Sequence, residues 1–302
     1  MPYTYPPAAP TLSGDYLTVS RFLNNPSLVA RRLRTLAEQR LIATSILSGR
    51  ESVTGGAVGF EQNEGLYPDR PVEAVSPGGE YPLTPIAAGP TQLVKIVKWG
   101  QDTLVTDEAV TRQRMAAAER AMLKLVNAAA KNVDSVALSL IASSVTQTRA
   151  ASAVWSGSTA TILRDLMLAK ADIAALNQGY DPDTLIVNDA AWAYLASDPV
   201  LINAMQRETT SNAVYSGEFN IIAGLRVLPT PNLPAAGAWV VDSNQLGGIA
   251  TEDLQGGYQA AGDLIQAKTM REDHNDQWRL RARAVFVPYI TEPNAAIKIT
   301  GI

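Results

Sequence analysis

The sequence has no cysteine and one histidine, His274, in 302 residues. Without cysteine there is no disulfide, no thiolate nucleophile and no cysteine-held zinc or iron–sulfur centre. A single histidine leaves no multi-histidine metal site. A Ser–His–Asp arrangement would have to use His274, which sits among Asp273, Asn275 and Asp276, the composition of a solvated turn. No apolar run approaches the ~20 residues of a membrane span. The N-terminal MPYTYPPAAP lacks the basic-then-apolar order of a signal peptide. The expected compartment is therefore a cytoplasm, with no membrane partner. Hydrophobic residues at 46% and charged residues at 18% place the chain away from disordered compositions. The length allows one large domain or two modest ones.

The net charge of −4 is unevenly spread. Residues 1–50 hold six arginines against Asp15 and Glu38, net +4, whereas residues 51–90 hold Arg70 against six acids, net −5. Residues 91–150 carry +3, residues 151–264 carry −8, and residues 265–302 carry +2. A chain negative overall is not built to grip nucleic acid by sequence, and Arg31-Arg32-x-Arg34 is a short basic patch on a helix face.

Residues 1–24 read as a Pro-rich extended arm, after which Asn25–Pro26 opens a helix, with Val29, Leu33, Leu36, Ala43 and Leu47 as its apolar stripe and Gly49 as its end. Residues 51–90 are rich in glycine and proline, with β-prone pieces at 57–61 and 71–75. They hold too little apolar surface for a core of their own. An isolated hairpin is marginal in water, so this excursion must lean on something else. Residues 91–99 alternate as a strand. A long helix follows, capped by Thr106 or Asp107, with Met115, Ala118, Met122, Val126, Ala129, Val133, Val136 and Leu140 in steps of three and four and no Gly or Pro before Arg149. Such a helix could extend over ~35–40 residues, ~55 Å at ~1.5 Å per residue.

From Trp155 the pattern is mixed α/β. A helix capped by Ser158 or Thr159 extends to about Leu176, then come a strand at 183–188, a helix from Asp189 and a short helix at 199–205. Strands are expected at 221–228, 238–241, 247–251, 265–271, 278–287 and 296–299.

Catalytic templates fail here. The Gly55–Gly59 stretch lacks the lysine and helix start of a phosphate loop. Asp181, Asp183 and Asp189 suit turns and caps better than a magnesium site, and Asn25-Pro26-Ser27 has proline in the position that forbids glycosylation. No metal, cofactor or catalytic residue is assigned.

What remains is an order: basic arm, acidic Gly/Pro-rich hairpin, strand, one very long helix, acidic α/β segment, returning strands. The carrying stretches are Pro77-Gly78-Gly79-Glu80-Tyr81-Pro82-Leu83 leading to Lys95-Ile96-Val97-Lys98, the helix start Val105-Thr106-Asp107-Glu108-Ala109, and the ending Arg281–Tyr289 with Ile299-Thr300-Gly301. Together they resemble the major capsid proteins of tailed double-stranded DNA phages, those of actinobacteriophages in particular, over nearly the whole chain. The resemblance implies the α+β Hong Kong 97-type fold. Residues 1–50 would be an N-terminal arm and 51–90 an extended loop lying over a neighbouring subunit. Residues 91–150 with 265–302 would form a peripheral domain on a long spine helix, and 151–264 an axial domain.

The implied function is a non-enzymatic subunit of an icosahedral head, located in the virion and assembled in the host cytoplasm. Its first partner is itself, in hexamers and pentamers. Scaffolding, portal and decoration proteins are possible further partners, and packaged DNA would be met non-specifically at the inner surface. Charge segregation marks Glu61, Glu64, Arg70 and Glu73 in the loop, and Arg31, Arg32 and Arg34 in the arm, as candidate intersubunit contacts. The family's type member is crosslinked by isopeptide bonds from a loop lysine to an asparagine. Here residues 51–90 contain no lysine, although Asn294 is present, so no such crosslink is expected. With the arm beginning at Met1, no long scaffolding segment is expected ahead of it. An encapsulin-type compartment is the alternative within the fold. An α/β hydrolase or binding protein is the alternative outside it, and would need convergent polar groups that the sequence does not offer.

Overall fold

The computed structural model describes residues 23, 25, 27–29, 41–63, 65–68, 70–84, 89–113, 115–157, 159–204, 221–234, 237–260 and 264–302. The proposed contacts Glu64, Arg31, Arg32 and Arg34 lie outside the described residues.

Thr106 opens the helical stretch: its Oγ1 accepts the Ala109 N–H at 3.3 Å, so the cap is Thr106, and Asp107 and Glu108 fill the first turn. Helix α2 (Asp107–Gln113) leads to α3 (Met115–Ser144), 30 residues and about 45 Å at ~1.5 Å per residue. Ala118, Met122, Val126 and Val133 are buried as the spacing predicts, but Ala137 and Ile141 then replace Val136 and Leu140, which are only half-buried. A straight helix at 3.6 residues per turn drifts away from a strict three–four alternation, and this one does.

Two sheets share α3 as a wall. In the first, β13 (Gln277–Ile290) is central. One of its edges carries β4 (Val97–Thr106), and the other carries β12 (Ile265–Glu272) and then β10 (Gly247–Thr251). Beyond these lie β11 (Gln259–Ala260) and β1 (Gly49–Ser52). Trp278, Leu280, Ala282, Ala284 and Phe286 alternate toward α3 and are buried. Arg279 and Arg281 take the other face and grip Asp102 of β4, which is why Asp102 sits below the usual carboxylate range. The second sheet orders β5 (Thr148–Ala150), β14 (Ala296–Thr300), β9 (Ala238–Val241), β6 (Thr184–Val187), β8 (Leu225–Pro229) and β7 (Ile221–Ile222). Helix α4 (Ile162–Ala175) covers one face through Ile162, Leu166, Ala169 and Ile173, while Ile186, Trp239 and Val241 meet the C-terminal half of α3 on the other. All four residues of β6 are buried, as expected for a strand covered on both sides. The partition does not follow the segment bounds read from the sequence: β5 and β14 join the second sheet, and β10 the first.

Several local expectations are corrected. Leu41 and Ile42 are not helical, and the short helix α1 (Ala43–Ile46) is followed by Gly49, which opens a strand instead of ending a helix. Gly49 lies against Gly248, where an added Cβ would come within 2.8 Å of the Gly49 carbonyl oxygen and 2.6 Å of the Tyr289 hydroxyl. The two glycines are therefore needed for close strand approach. Residues 71–75 form no strand, because β2 (Ala57–Glu61) pairs instead with β3 (Thr91–Lys95) and leaves them without a partner strand among the described residues. The 91–99 strand breaks at Ile96, whose N–H turns to Gly56. Helix α4 begins after Thr161, two residues beyond the expected cap Thr159, and Ser158 lies outside the described residues.

The buried acids serve the chain itself. Asp165 accepts from Ser152 N and Oγ and from Trp155 Nε1. Asp183 accepts from Ser243 N and Oγ, and Asp242 from Asp181, Asn244 and Gln245 N–H groups, so these residues fill turn roles. Asn188 caps α5 (Asp189–Ser197), which precedes α6 (Pro199–Ala204).

Asp134 ties the N-terminal segment to α3: its Oδ1 accepts the N–H groups of Ile42 at 3.1 Å and Ala43 at 2.9 Å. Burial raises its pKa against the two hydrogen bonds that lower it. A carboxyl whose folded pKa is raised contributes most below its unfolded value, and that contribution is lost as pH rises through the folded one. Asp134→Asn keeps the acceptor and removes the buried charge, whereas Asp134→Ala strands two N–H donors at a cost of ~1–3 kcal/mol. In urea unfolding at pH 7 the Asn variant is expected to match or exceed wild type and the Ala variant to fall below it, with the Asn advantage shrinking as the pH is lowered and Asp134 takes up its proton.

Candidate assembly surface

The loop between β2 and β3 is anchored at its root and bare at its tip. Val58 and Phe60 of β2 pack on Ala250, Val287 and Tyr289 of the first sheet, with the Phe60 and Tyr289 rings 5.1 Å apart. Burial, then a hydrogen bond to Glu51, pushes the Tyr289 phenol up to about 12. Gln62 Nε2 donates to the Ile290 carbonyl, Asn63 N–H to Thr291, and Leu66 N–H to Gln178 Oε1. These bonds bolt the loop root across the junction of the two sheets, where Tyr180 also donates to Glu292 at 2.8 Å.

Beyond Leu66 the described loop residues are mostly exposed. Val72 is fully exposed, Leu83 is 93% and Tyr81 83% exposed, and Leu66 and Tyr67 are each more than half exposed. Most exposed large hydrophobics among the described residues fall between Leu66 and Leu104, a density that marks an interaction surface. This apolar set is what charge-based reading missed. Its signal in the sequence was available: five large apolar residues in a segment with no core.

Of the candidate contacts, Glu61 is exposed at the end of β2, opposite Thr91. Arg70 and Glu73 face each other instead of outward, joined by hydrogen bonds at 3.0 and 2.9 Å. An exposed pair of this kind contributes ~0–1 kcal/mol and shapes the loop tip. Asn294 accepts from Gln147 Nε2 at 3.1 Å, at the far side of the junction.

A groove of about 250 Å³ lies between β4 and α3, floored by Ala128, Ala129, Ala282 and Ala284 and rimmed by Trp99 and Asn132. It holds no set of convergent titratable groups. Among the described residues no group of three His, Asp or Glu side chains could hold a metal ion, and no helix is long and apolar enough to cross a membrane. His274 is exposed in the β12–β13 turn. The built features are an anchored arm of chain, a bare apolar tip and an open sheet edge, which is equipment for meeting another protein surface.

Comparison with known proteins agrees. A family model described as phage capsid protein matches residues 89–299. No curated protein matches the chain. Among solved structures, a chain of Mycobacterium phage Che8 is 14% identical with a TM-score of 0.55, over 82% of this chain and 85% of that one. The bacteriophage PhiM1 mature capsid is 10% identical with a TM-score of 0.56, over 84% and 86%. The virus-like particle from Pyrococcus furiosus is 14% identical with a TM-score of 0.57, over 90% and 98%.

Replacing Tyr81 and Leu83 together by Ser removes apolar surface that the subunit does not bury. Unfolding of the isolated subunit is expected to shift by less than ~0.5 kcal/mol, while self-association measured by sedimentation falls sharply. Equal loss of both would mean that the tip packs within its own chain.

Proposed function

The chain belongs to the phage capsid protein family, and on that premise we propose how a shell is built from it. The protein is a structural subunit of a phage capsid, with the α+β Hong Kong 97-type fold and a place in the virion shell, and it assembles with copies of itself. The single observation that carries the proposal is the loop tip: apolar, acidic in its surroundings, and left uncovered among the described residues.

In the proposed arrangement the tip beyond Leu66 lies over a neighbouring subunit of the same capsomer, in a heterologous contact that closes into hexamers and pentamers. The first sheet with α3 acts as the peripheral domain and the second sheet with α4 as the axial domain near the ring axes. The strand partition supports drawing these units by sheet, with 296–300 on the axial side and 247–251 on the peripheral side. The acidic segment 151–264 is a poor grip for DNA. The basic arm, with Arg31, Arg32 and Arg34, is the segment suited to meet packaged duplex non-specifically. Assembly in the host cytoplasm, with scaffold, portal and decoration proteins as further partners, belongs to the same proposal. An encapsulin-type compartment is a second reading, prompted by the likeness to a virus-like particle that is not itself described as a phage head.

Expression of the chain, alone and with the products of its neighbouring genes, followed by sedimentation and negative-stain microscopy, tests the proposal. Closed particles are expected, and monomers in every salt and pairing would overturn it. Purified from infected cells, the particles are expected to hold duplex DNA; protein cargo in its place would favour the compartment. Because residues 51–90 contain no lysine, particles boiled in detergent are expected to run as a 32.2 kDa monomer, not as a covalent ladder.

A further inference from the structure

Strand β4 is a ten-residue edge: it pairs with β13 along its whole length and with no other strand among the described residues. Val97–Gln101 are exposed in succession, and Leu104 is half exposed. Such an edge is normally protected by a proline, a bulge, a short length, a covering segment or charged side chains, lysine above all; β4 carries two charges, Lys98 and Asp102, of opposite sign. Here the sequence VKWGQDTLVT has no proline, and its register with β13 is unbroken from Thr106 opposite Gln277 to Val97 opposite Phe286.

The direction of the free backbone groups follows from one bond. Asp107 N–H donates to the Asp276 carbonyl, continuing the β4–β13 ladder by one step. In an antiparallel ladder successive residues address opposite sides. The odd-numbered residues of β4 therefore address β13, and Lys98, Gly100, Asp102 and Leu104 turn their N–H and C=O groups outward. A second strand can use them only where even residues meet even residues.

We propose that β4 pairs antiparallel with β4 of a second copy of this chain, with Gly100 on the two-fold axis. In that register Lys98 stands opposite Asp102 of the partner subunit, and the pair occurs twice. Centring the contact on Lys98 or on Asp102 instead sets like charges against each other, which destabilises cross-strand pairing. Centring it on Trp99 or Gln101 leaves both charges unmatched. Asp102 is already held in place by Arg281 and Arg279, so its carboxylate is fixed for the incoming ammonium. The contact is isologous, unlike the ring contact of the loop, and it would join the first sheets of subunits in adjacent rings. It rests on the shell reading above.

The absence of cysteine supplies the probe. An added Cβ at Gly100 meets the Ala282 carbonyl oxygen at 3.4 Å and Arg283 Cβ at 3.6 Å, ordinary contacts, so Gly100→Cys fits the fold. Opposed Cα atoms ~5.5 Å apart in a hydrogen-bonded pair lie within disulfide reach. Particles of Gly100→Cys oxidised with copper-phenanthroline are expected to give a dimer on a non-reducing gel. Particles of Lys98→Cys, whose thiols lie four residues from each other in register, are expected to remain monomeric. In wild-type particles assembled from mixed ¹⁴N and ¹⁵N subunits, carbodiimide is expected to join Lys98 to Asp102 between differently labelled copies. Well-formed particles showing neither crosslink would overturn the β4 contact and leave the shell reading intact. A crosslink confined to one subunit, or one from β4 to the N-terminal arm, would also overturn it. Failure of wild type to form particles would count against the shell reading itself.

Discussion

The packing of α3 against the alternating face of β13 is the contact on which the rest of this structure depends. Trp278, Leu280, Ala282, Ala284 and Phe286 meet Met122, Val126, Val133 and Ala137, all buried. Because the helix continues past the first sheet, Leu138 and Ile141 reach the second sheet at Ile186, Trp239 and Val241. One rigid element therefore sets the position of both sheets. It also holds the start of α1 through Asp134 and, by way of β4, gives the loop its direction.

With that body closed, its buried polar groups largely satisfied by its own turns, two kinds of surface remain unsatisfied. The loop tip exposes apolar side chains, and β4 exposes backbone donors and acceptors. These are different deficits with different remedies. Apolar side chains require shape and burial against another surface, whereas an open edge requires another strand. A shell needs contacts both within rings and between them, and a chain carrying one deficit of each kind has the means for both.

Much of this was legible in the residues because it is periodic. The three–four spacing of Ala118, Met122 and Val126 marks α3, and the alternation from Trp278 to Phe286 marks β13, since each burial pattern repeats with its own backbone period. What failed was what depends on distant partners. Gly49 looks like a helix end until Gly248 and Tyr289 are seen beside it, where glycine is needed for close approach. The sheet to which Ala296–Thr300 belongs is decided by pairing with β9 and β5, which no local pattern encodes. The loop charges drew attention because segment sums are easily read, yet Arg70 and Glu73 neutralise each other within the tip. The apolar residues beside them carry the surface, and their meaning depends on their being left uncovered among the described residues.

The central claim is that the core of the 66–83 tip is supplied by another copy. Amide hydrogen exchange, compared between isolated subunits and assembled particles, tests it most directly. Residues 66–83 are expected to exchange rapidly in the subunit and to become strongly protected in the particle, while the α3 amides are protected in both. A tip already protected in the isolated subunit, or still unprotected in closed particles, would contradict the account.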